Sequence, residues 1–240
     1  MKVLAFNCSP KGEKGNTAMI LTPFIEGIRE AGAEVELLYT RKLNIKPCRG
    51  CWICMLKTPG KCFRKDDMQM VLPKLREADI WIFATPVQSD GVSGPMKNML
   101  DRMMPLALPL VELRDGHCRY RLHEGVKHSK IVLVSSCGNW ETDNFDPLVV
   151  HINAFCKTMD GEFAGALLRP HAEALVPMME TGEKLDDVFQ AAQDAGRQLG
   201  HDGRMSAKTL NIVSRELMPL DKYVQLLNEG GQQALDALDK

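Results

Sequence analysis

The sequence predicts an α/β fold: a doubly wound, five-stranded parallel sheet with helices on both faces. Three observations predict it. Five short apolar runs, several rich in Val and Ile, are spread along the chain, and amphipathic segments fill the gaps between them. Strand followed by helix, repeated, requires right-handed crossovers and therefore parallel strands buried on both faces. At 240 residues the chain is long enough to bury a large core without staples.

In order, the strand runs are "KVLAF" (2–6), "VELLY" (35–39), "DIWIFA" (79–84), "KIVLVS" (130–135) and "FAGALL" (163–168). The helical segments are 16–31, where Ile20, Phe24, Ile25 and Ile28 share a face, then 66–77, 94–104 and 146–158. A fifth runs over 183–199, with Leu185, Val188, Phe189, Ala192 and Leu199 at helical spacing. Three stretches depart from the repeat: a cysteine-rich insert at 43–66 after strand two, a long connection at 105–129, and apolar helical pattern over 205–240. The expected organisation is a main domain, 1–204, carrying the insert and the connection, followed by a helical C-terminal extension, 205–240. Long inserts in a compact fold tend to be functional.

Charge narrows the function classes. Thirty basic residues nearly balance thirty-one acidic ones, and no basic stripe with interleaved aromatics appears, so nucleic acid is not the expected partner. "MKVLAFNCSP" is too short for a secretory apolar region and no later run reaches transmembrane length, so no membrane role and a cytoplasmic location are expected. Thiols stay reduced there, and eight cysteines then argue for metal binding or redox chemistry over disulfides.

The loop after strand one, "NCSPKGEKGNTAMI" (7–20), has two readings. It is an ordinary turn in which Ser9-Pro10 redirects the chain and Asn16 or Thr17 caps the helix. It is also a phosphate site, where hydroxyls and the free N–H groups of a helix's first turn converge on a dianion. Neither G-x-x-x-x-G-K-[ST] nor G-x-G-x-x-G is present, which leaves a mononucleotide.

These residues carry a family resemblance. "CSPKGEKGNTA" resembles the S-P-[RK]-x(n)-G-N-T phosphate loop of the flavodoxin-like NAD(P)H-dependent FMN reductases, and "TPVQSDGVSGPMKNMLDR" (85–102) resembles their second flavin loop. The similarity runs over roughly residues 1–170. It implies a flavodoxin-like sheet of order 2-1-3-4-5, with FMN outside the carboxyl ends of the strands at the switch point. It further implies that Ser9, Lys11, Asn16, Thr17 and Ala18 hold the FMN phosphate. Pro86, Val87, Gln88, Gly91 and Val92 would line the isoalloxazine, with Gln88 standing where the family often has tyrosine.

The loop after strand four, "SSCGNWETDNF" (135–145), would supply the other wall through Ser136, Cys137, Gly138, Asn139 and Trp140. The alternative is that Cys137-Gly138 is a tight turn and Trp140 an exposed anchor. Asp101-Arg102 is read as a structural ion pair anchoring the third helix. The flavin carries the chemistry, so no side chain is assigned as a catalytic acid or base.

"CRGCWICMLKTPGKC" (48–62) holds four cysteines with gaps of two, two and seven residues. C-x2-C-x2-C wraps tightly, and the turn at "TPG" (58–60) brings Cys62 back. The spacing resembles the compact motif of the iron-sulfur flavoproteins, and that resemblance implies that Cys48, Cys51, Cys54 and Cys62 ligate a 4Fe-4S cluster. Four thiolates also satisfy tetrahedral zinc, and a reduced, metal-free lid is a further alternative. Cys8 and Cys156 read as small buried residues, and Cys118 has no assigned role. His117, His123 and His128 read as polar or interface residues.

Together the resemblances imply an FMN-dependent oxidoreductase that passes electrons between a reduced donor, a 4Fe-4S cluster and FMN, with NAD(P)H as a candidate donor. Its partners would be small-molecule or protein redox partners. A metal-free NAD(P)H-dependent FMN or quinone reductase and a non-catalytic flavodoxin-type carrier are the alternatives. The family implies a homodimer or homotetramer, with 105–129 and 205–240 serving assembly.

Overall fold

In the computed structural model, which describes residues 1–238, the five apolar runs become strands of one parallel sheet. They are β1 (Lys2–Asn7), β2 (Glu34–Tyr39), β3 (Ile80–Pro86), β6 (Lys130–Ser136) and β7 (Glu162–Arg169). Their order is β2-β1-β3-β6-β7, the doubly wound 2-1-3-4-5 arrangement expected from the sequence. The register aligns the carboxyl ends: Asn7 lies opposite Tyr39 and Ala84, and Thr85 and Pro86 lie opposite Ser135 and Ser136. The loops leaving β1, β3 and β6 therefore emerge side by side.

Alternation along the strands builds two cores. Val3, Ala5, Ile80, Ile82, Val132 and Val134 face α1 (Asn16–Glu30) and α7 (Asp186–Asp202). Leu4, Phe6, Trp81, Phe83, Ile131 and Leu133 face α3 (Met68–Glu77), α4 (Gly94–Asp101) and α5 (Asp146–Thr158). Phe6 and Phe83 are fully buried and stack at 5.9 Å, and each such side chain contributes roughly 1.5–3 kcal/mol through burial. Trp81 satisfies its indole N–H on the Leu75 carbonyl at 3.0 Å, which allows its complete burial.

The irregular stretches also acquire structure. The insert contains one short helix, α2 (Ile53–Leu56). The connection over 105–129 contains an antiparallel hairpin, β4 (Ala107–Arg114) and β5 (His117–Leu122), turned by Asp115-Gly116 with both residues at positive φ. After β7 come α6 (Leu175–Glu180), α7, α8 (Ala207–Val213) and α9 (Leu220–Leu238). Residues 239 and 240 of the expected extension lie outside the described residues. Among the described residues no helix is long and apolar enough to cross a membrane.

Candidate functional site

The loop after β1 is braced from beneath by Asn7. Its buried side chain accepts from the Ser9 N–H at 3.0 Å and donates to the Gly12 carbonyl at 3.3 Å. Ser9 and Thr17 are buried, Asn16 is half-buried, and Lys11 is exposed. Neither Asn16 nor Thr17 caps α1; the cap is Gly15, in extended backbone with no side-chain bond. The glycine has a steric reason, because a Cβ there would lie 2.7 Å from the Ser9 hydroxyl. The Ala18 N–H donates to the Gly15 carbonyl at 2.8 Å, and the Ser9 and Thr17 hydroxyls beside the start of α1 have the chemistry that suits a phosphate dianion.

Sequence reasoning missed Arg41, which follows β2. Its guanidinium donates to the Lys11 carbonyl at 3.2 Å and lies directly over Gly12, where a Cβ would meet its side chain at 2.6 Å. It brings a cation to the same loop. Strand order brings it there: with β1 next to β2, the residues after β2 neighbour the loop after β1, although nothing local in the sequence selects Arg41 among them.

The three loops are tied to one another. The Cys8 N–H donates to the Ala84 carbonyl at 2.7 Å, and the Ser93 hydroxyl donates to the Cys8 carbonyl at 2.7 Å. The Val87 N–H donates to the Ser136 carbonyl at 2.9 Å. Thr17 and Ser136, assigned to different loops, have their hydroxyls 2.7 Å apart and both buried. In the second loop Gln88 and Gly91 exchange backbone bonds around Ser89 and Asp90, both at positive φ, which makes a tight turn that projects Gln88 outward. Pro86, Val87, Gly91 and Val92 are half-buried beneath it.

The third loop is shared with the C-terminal extension. Ser136 and Cys137 are buried, while Gly138 and Asn139 are exposed. Burial pushes the Cys137 thiol up, so it stays protonated at neutral pH. Trp140 is turned toward the extension: its indole donates to the Met218 carbonyl at 3.0 Å and its ring stacks on His171 at 5.8 Å. His171 accepts the Leu217 N–H on Nε2 at 2.8 Å, and its backbone N–H donates to the Asn139 carbonyl. Burial, reinforced by the charge of Arg169, pushes the imidazole down to about 4, so it is a neutral acceptor. The Tyr223 hydroxyl, from α9, closes the set by donating to the Gly138 carbonyl.

The four cysteines of the insert line one cavity of about 310 Å³. Gly50 and Trp52, each at positive φ, turn the chain between successive cysteines. The Gly60 N–H donates to the Cys54 carbonyl at 3.1 Å, so the turn at 58–60 does return Cys62 to the others. Burial, then the neighbouring thiols of Cys62, Cys48 and Cys51, raise the Cys54 thiol. Among the described residues no three His, Cys, Asp or Glu side chains are close enough to hold a single metal ion.

Arg102 forms part of the same cavity's lining, and here the expected pairing is corrected. Its partner is Asp66, through bonds of 2.6 and 2.9 Å between fully buried side chains, and it also donates to the Lys46 carbonyl at 2.6 Å. Asp101 instead pairs with Lys97, one helical turn earlier. Burial pushes Asp66 up, but the bonds from Arg102 outweigh it and hold the carboxyl below its ordinary value. The Arg102 Nε–H is buried without a partner, and its guanidinium lies within interaction range of the Cys62 sulfur. An orphaned cationic donor beside four thiols suits an anionic, sulfur-rich group.

The other cysteines fall as expected or remain apart. Cys8 and Cys156 are buried, and burial pushes each thiol up to about 12. Cys118 is exposed on β5.

Comparisons with known proteins bear on this arrangement. Residues 1–136 match the family described as NADPH-dependent FMN reductase. The chain is 39% identical over 102 residues to an iron-sulfur flavoprotein of Archaeoglobus fulgidus, covering 42% of this chain and 48% of that one. It is 38% identical over 108 residues to an iron-sulfur flavoprotein of Methanocaldococcus jannaschii, covering 45% and 54%. The matches thus span about half the length of these two relatives. An iron-sulfur flavoprotein of Methanosarcina thermophila is 26% identical over 199 residues, covering 80% of this chain and 97% of that one.

Two solved structures share the fold. An FMN-dependent NADH-azoreductase of Bacillus anthracis in complex with FMN superposes with a TM-score of 0.62 at 14% identity, over 83% of this chain and 99% of that one. An NAD(P)H:quinone oxidoreductase of Methanothermobacter marburgensis does so with 0.60 at 16%, over 84% and 96%.

Proposed function

Because the chain belongs to the NADPH-dependent FMN reductase family, we propose that it is a flavin-dependent oxidoreductase of the iron-sulfur flavoprotein type, holding FMN at the three sheet-end loops and a 4Fe-4S cluster at the cysteine loop. The observation that carries this reading is the position of α4. Its first residue, Gly94, follows the second flavin loop, and Asp101 and Arg102 at its far end help line the cysteine cavity. Eight helical residues span about 12 Å, so the two sites stand at opposite ends of one short rigid element.

When bound, FMN supplies two-electron hydride chemistry and an iron-sulfur cluster supplies one-electron transfer. The chain's own part is to hold and insulate. Ser9, Asn16, Thr17 and Ala18, joined by Arg41, offer hydroxyl, amide and cationic contacts to the phosphate, with Lys11 on the rim. Pro86, Val87, Gln88, Gly91 and Val92 form one wall of the ring site. Ser136, Cys137, Gly138 and Asn139 form the other, with Trp140 fixing that loop to the extension. Cys48, Cys51, Cys54 and Cys62 would supply four thiolates from one cavity, with a close C-x2-C-x2-C spacing that suits a cluster better than the paired knuckles of a zinc site. Arg102 offers the cluster a buried cationic donor.

Electron donors and acceptors are small molecules or redox proteins, with NAD(P)H the first donor to try. Exposed apolar residues on β4 (Leu110, Val111, Leu113) and α9 (Leu220, Val224, Leu227) support assembly into a homo-oligomer in the reducing cytoplasm. Anaerobic purification followed by absorption spectra before and after reduction tests the reading. About four iron and four sulfide per chain, with one FMN, are expected. Flavin bands alone, without iron, would leave a metal-free reductase.

A further inference from the structure

A second cavity lies behind the cysteine loop. It measures about 390 Å³ and is lined by Gly60, Lys61, Cys62, Gln69, Leu72, Pro73 and Arg76, from the turn at 58–62 and from α3. Of these, only Cys62 also lines the four-cysteine cavity. The volume is in the range of sites for small organic molecules.

Its charge is one-sided. Neither Lys61 nor Arg76 forms an ion pair among the described residues. Arg76 is half-buried and packs directly under the turn: a Cβ at Gly60 would lie 2.9 Å from its terminal nitrogen. One guanidinium N–H donates to the Pro105 carbonyl at 3.4 Å. Beneath the turn the His123 Nε2 is buried with no partner, and burial together with the Arg76 charge pushes that imidazole down. No lining residue is acidic, and the nearest carboxylates in the chain are engaged elsewhere: Asp66 with Arg102, Asp67 with the Asn44 N–H and Glu77 with Lys2. A cavity that joins two unneutralised cations to an apolar wall of Leu72 and Pro73 and to the Gln69 amide has the chemistry of an anion site, in which the arginine fork matches a carboxylate or phosphate.

We propose that this cavity binds a small organic anion, a carboxylate or a phosphate monoester, with its charge between Lys61 and Arg76 and its apolar body against Leu72 and Pro73. The site goes beyond the redox reading: of its lining only Cys62 is shared with the four-cysteine cavity, and the two cations, Lys61 and Arg76, need neither iron nor flavin. It places a bound anion next to Cys62, so occupancy would be felt at the four-cysteine loop.

Calorimetric titration of benzoate and of phenyl phosphate at low salt, with excess FMN present to occupy the loop after β1, tests the proposal. Saturable one-site binding of either compound is expected; whichever binds tighter identifies the preferred anion. Arg76→Gln should weaken it at least tenfold, Lys61→Gln severalfold, and added salt should weaken it in the wild type. Thermal unfolding of each variant checks its fold, and if Arg76→Gln does not fold, Lys61→Gln, at the exposed end, decides. Absence of saturable binding by both compounds, or affinity unchanged in every folded variant, overturns the site. Iron content, measured on the same samples, reports separately on the cluster.

Discussion

At the amino-terminal end of α4, the loops leaving β1, β3 and β6 are hydrogen-bonded to one another through buried side chains; at its carboxyl-terminal end, two of the four cysteines of the insert are exposed. Ser9, Thr17, Ser93 and Ser136 are all at least 95% buried, and each is tied to another loop residue through its hydroxyl or, for Ser9, its backbone N–H. Cys48 and Cys51 are exposed, and local turns hold the loop's shape, with long-range anchors in the buried Asp66–Arg102 pair, the Arg102 bond to the Lys46 carbonyl and the Trp52–Tyr120 ring contact. The difference teaches that the sheet pre-organises one set of loops, whereas the cysteine loop is held by a few contacts centred on the Asp66–Arg102 pair.

Four measurements break or sharpen that contrast. Asp66→Ala should have the largest effect. It leaves the fully buried Arg102 charge without its carboxylate, which costs about 3–5 kcal/mol in chemical unfolding, and iron should be lost before FMN. A cost near zero would show that the loop is anchored elsewhere.

Acid should act on the other region. His171 is held down to about 4 against an ordinary value of 6.5, so the unfolded chain takes up a proton between these values while the folded chain does not. Stability is therefore complete above about pH 6.5 and falls as pH drops toward 4, by about 3 kcal/mol. Urea midpoints at pH 7 and pH 4.5 measure it. The part of the slope due to His171 should vanish in His171→Gln, and an unchanged slope would remove the histidine as its source.

Gly15→Ala places a methyl 2.7 Å from the Ser9 hydroxyl and should weaken FMN binding at least tenfold, about 1.4 kcal/mol, without changing iron content. Equal loss of both cofactors would contradict the independence of the two sites. The smallest effect is expected from Ser136→Ala, which removes the hydroxyl contact to Thr17 and should cost about 1 kcal/mol of stability. Its FMN affinity should fall less than that of Gly15→Ala.

Legibility in the sequence followed the same division. The strands were readable because parallel strands buried on both faces are continuous apolar runs, and the motif after β1 because its residues are contiguous. The hairpin at Ala107–Arg114 and His117–Leu122 is signalled only by Asp115-Gly116, a two-residue turn, within a stretch that otherwise reads as a long connection serving assembly. Arg102 was paired with its neighbour Asp101, because adjacency is all a sequence displays. Its partner is 36 residues away, where the start of α3 meets the end of α4. Trp140 was assigned to the flavin wall on its position in the loop; its ring is taken up by His171 and Met218, both contributed after β7.

By itself, then, the sequence determined the five strands, the composition of the three loops and the spacing of Cys48, Cys51, Cys54 and Cys62. These depend on periodicity and on residues close together in the chain. Tertiary structure alone decided that Thr17 meets Ser136, that Arg41 covers Gly12, that Asp66 holds Arg102, and that Lys61 and Arg76 face one cavity. The first two contacts follow from a strand order that places β1 between β2 and β3 and from a register that aligns the carboxyl ends. The other two follow from how α3 and α4 pack against the insert, which no local pattern encodes.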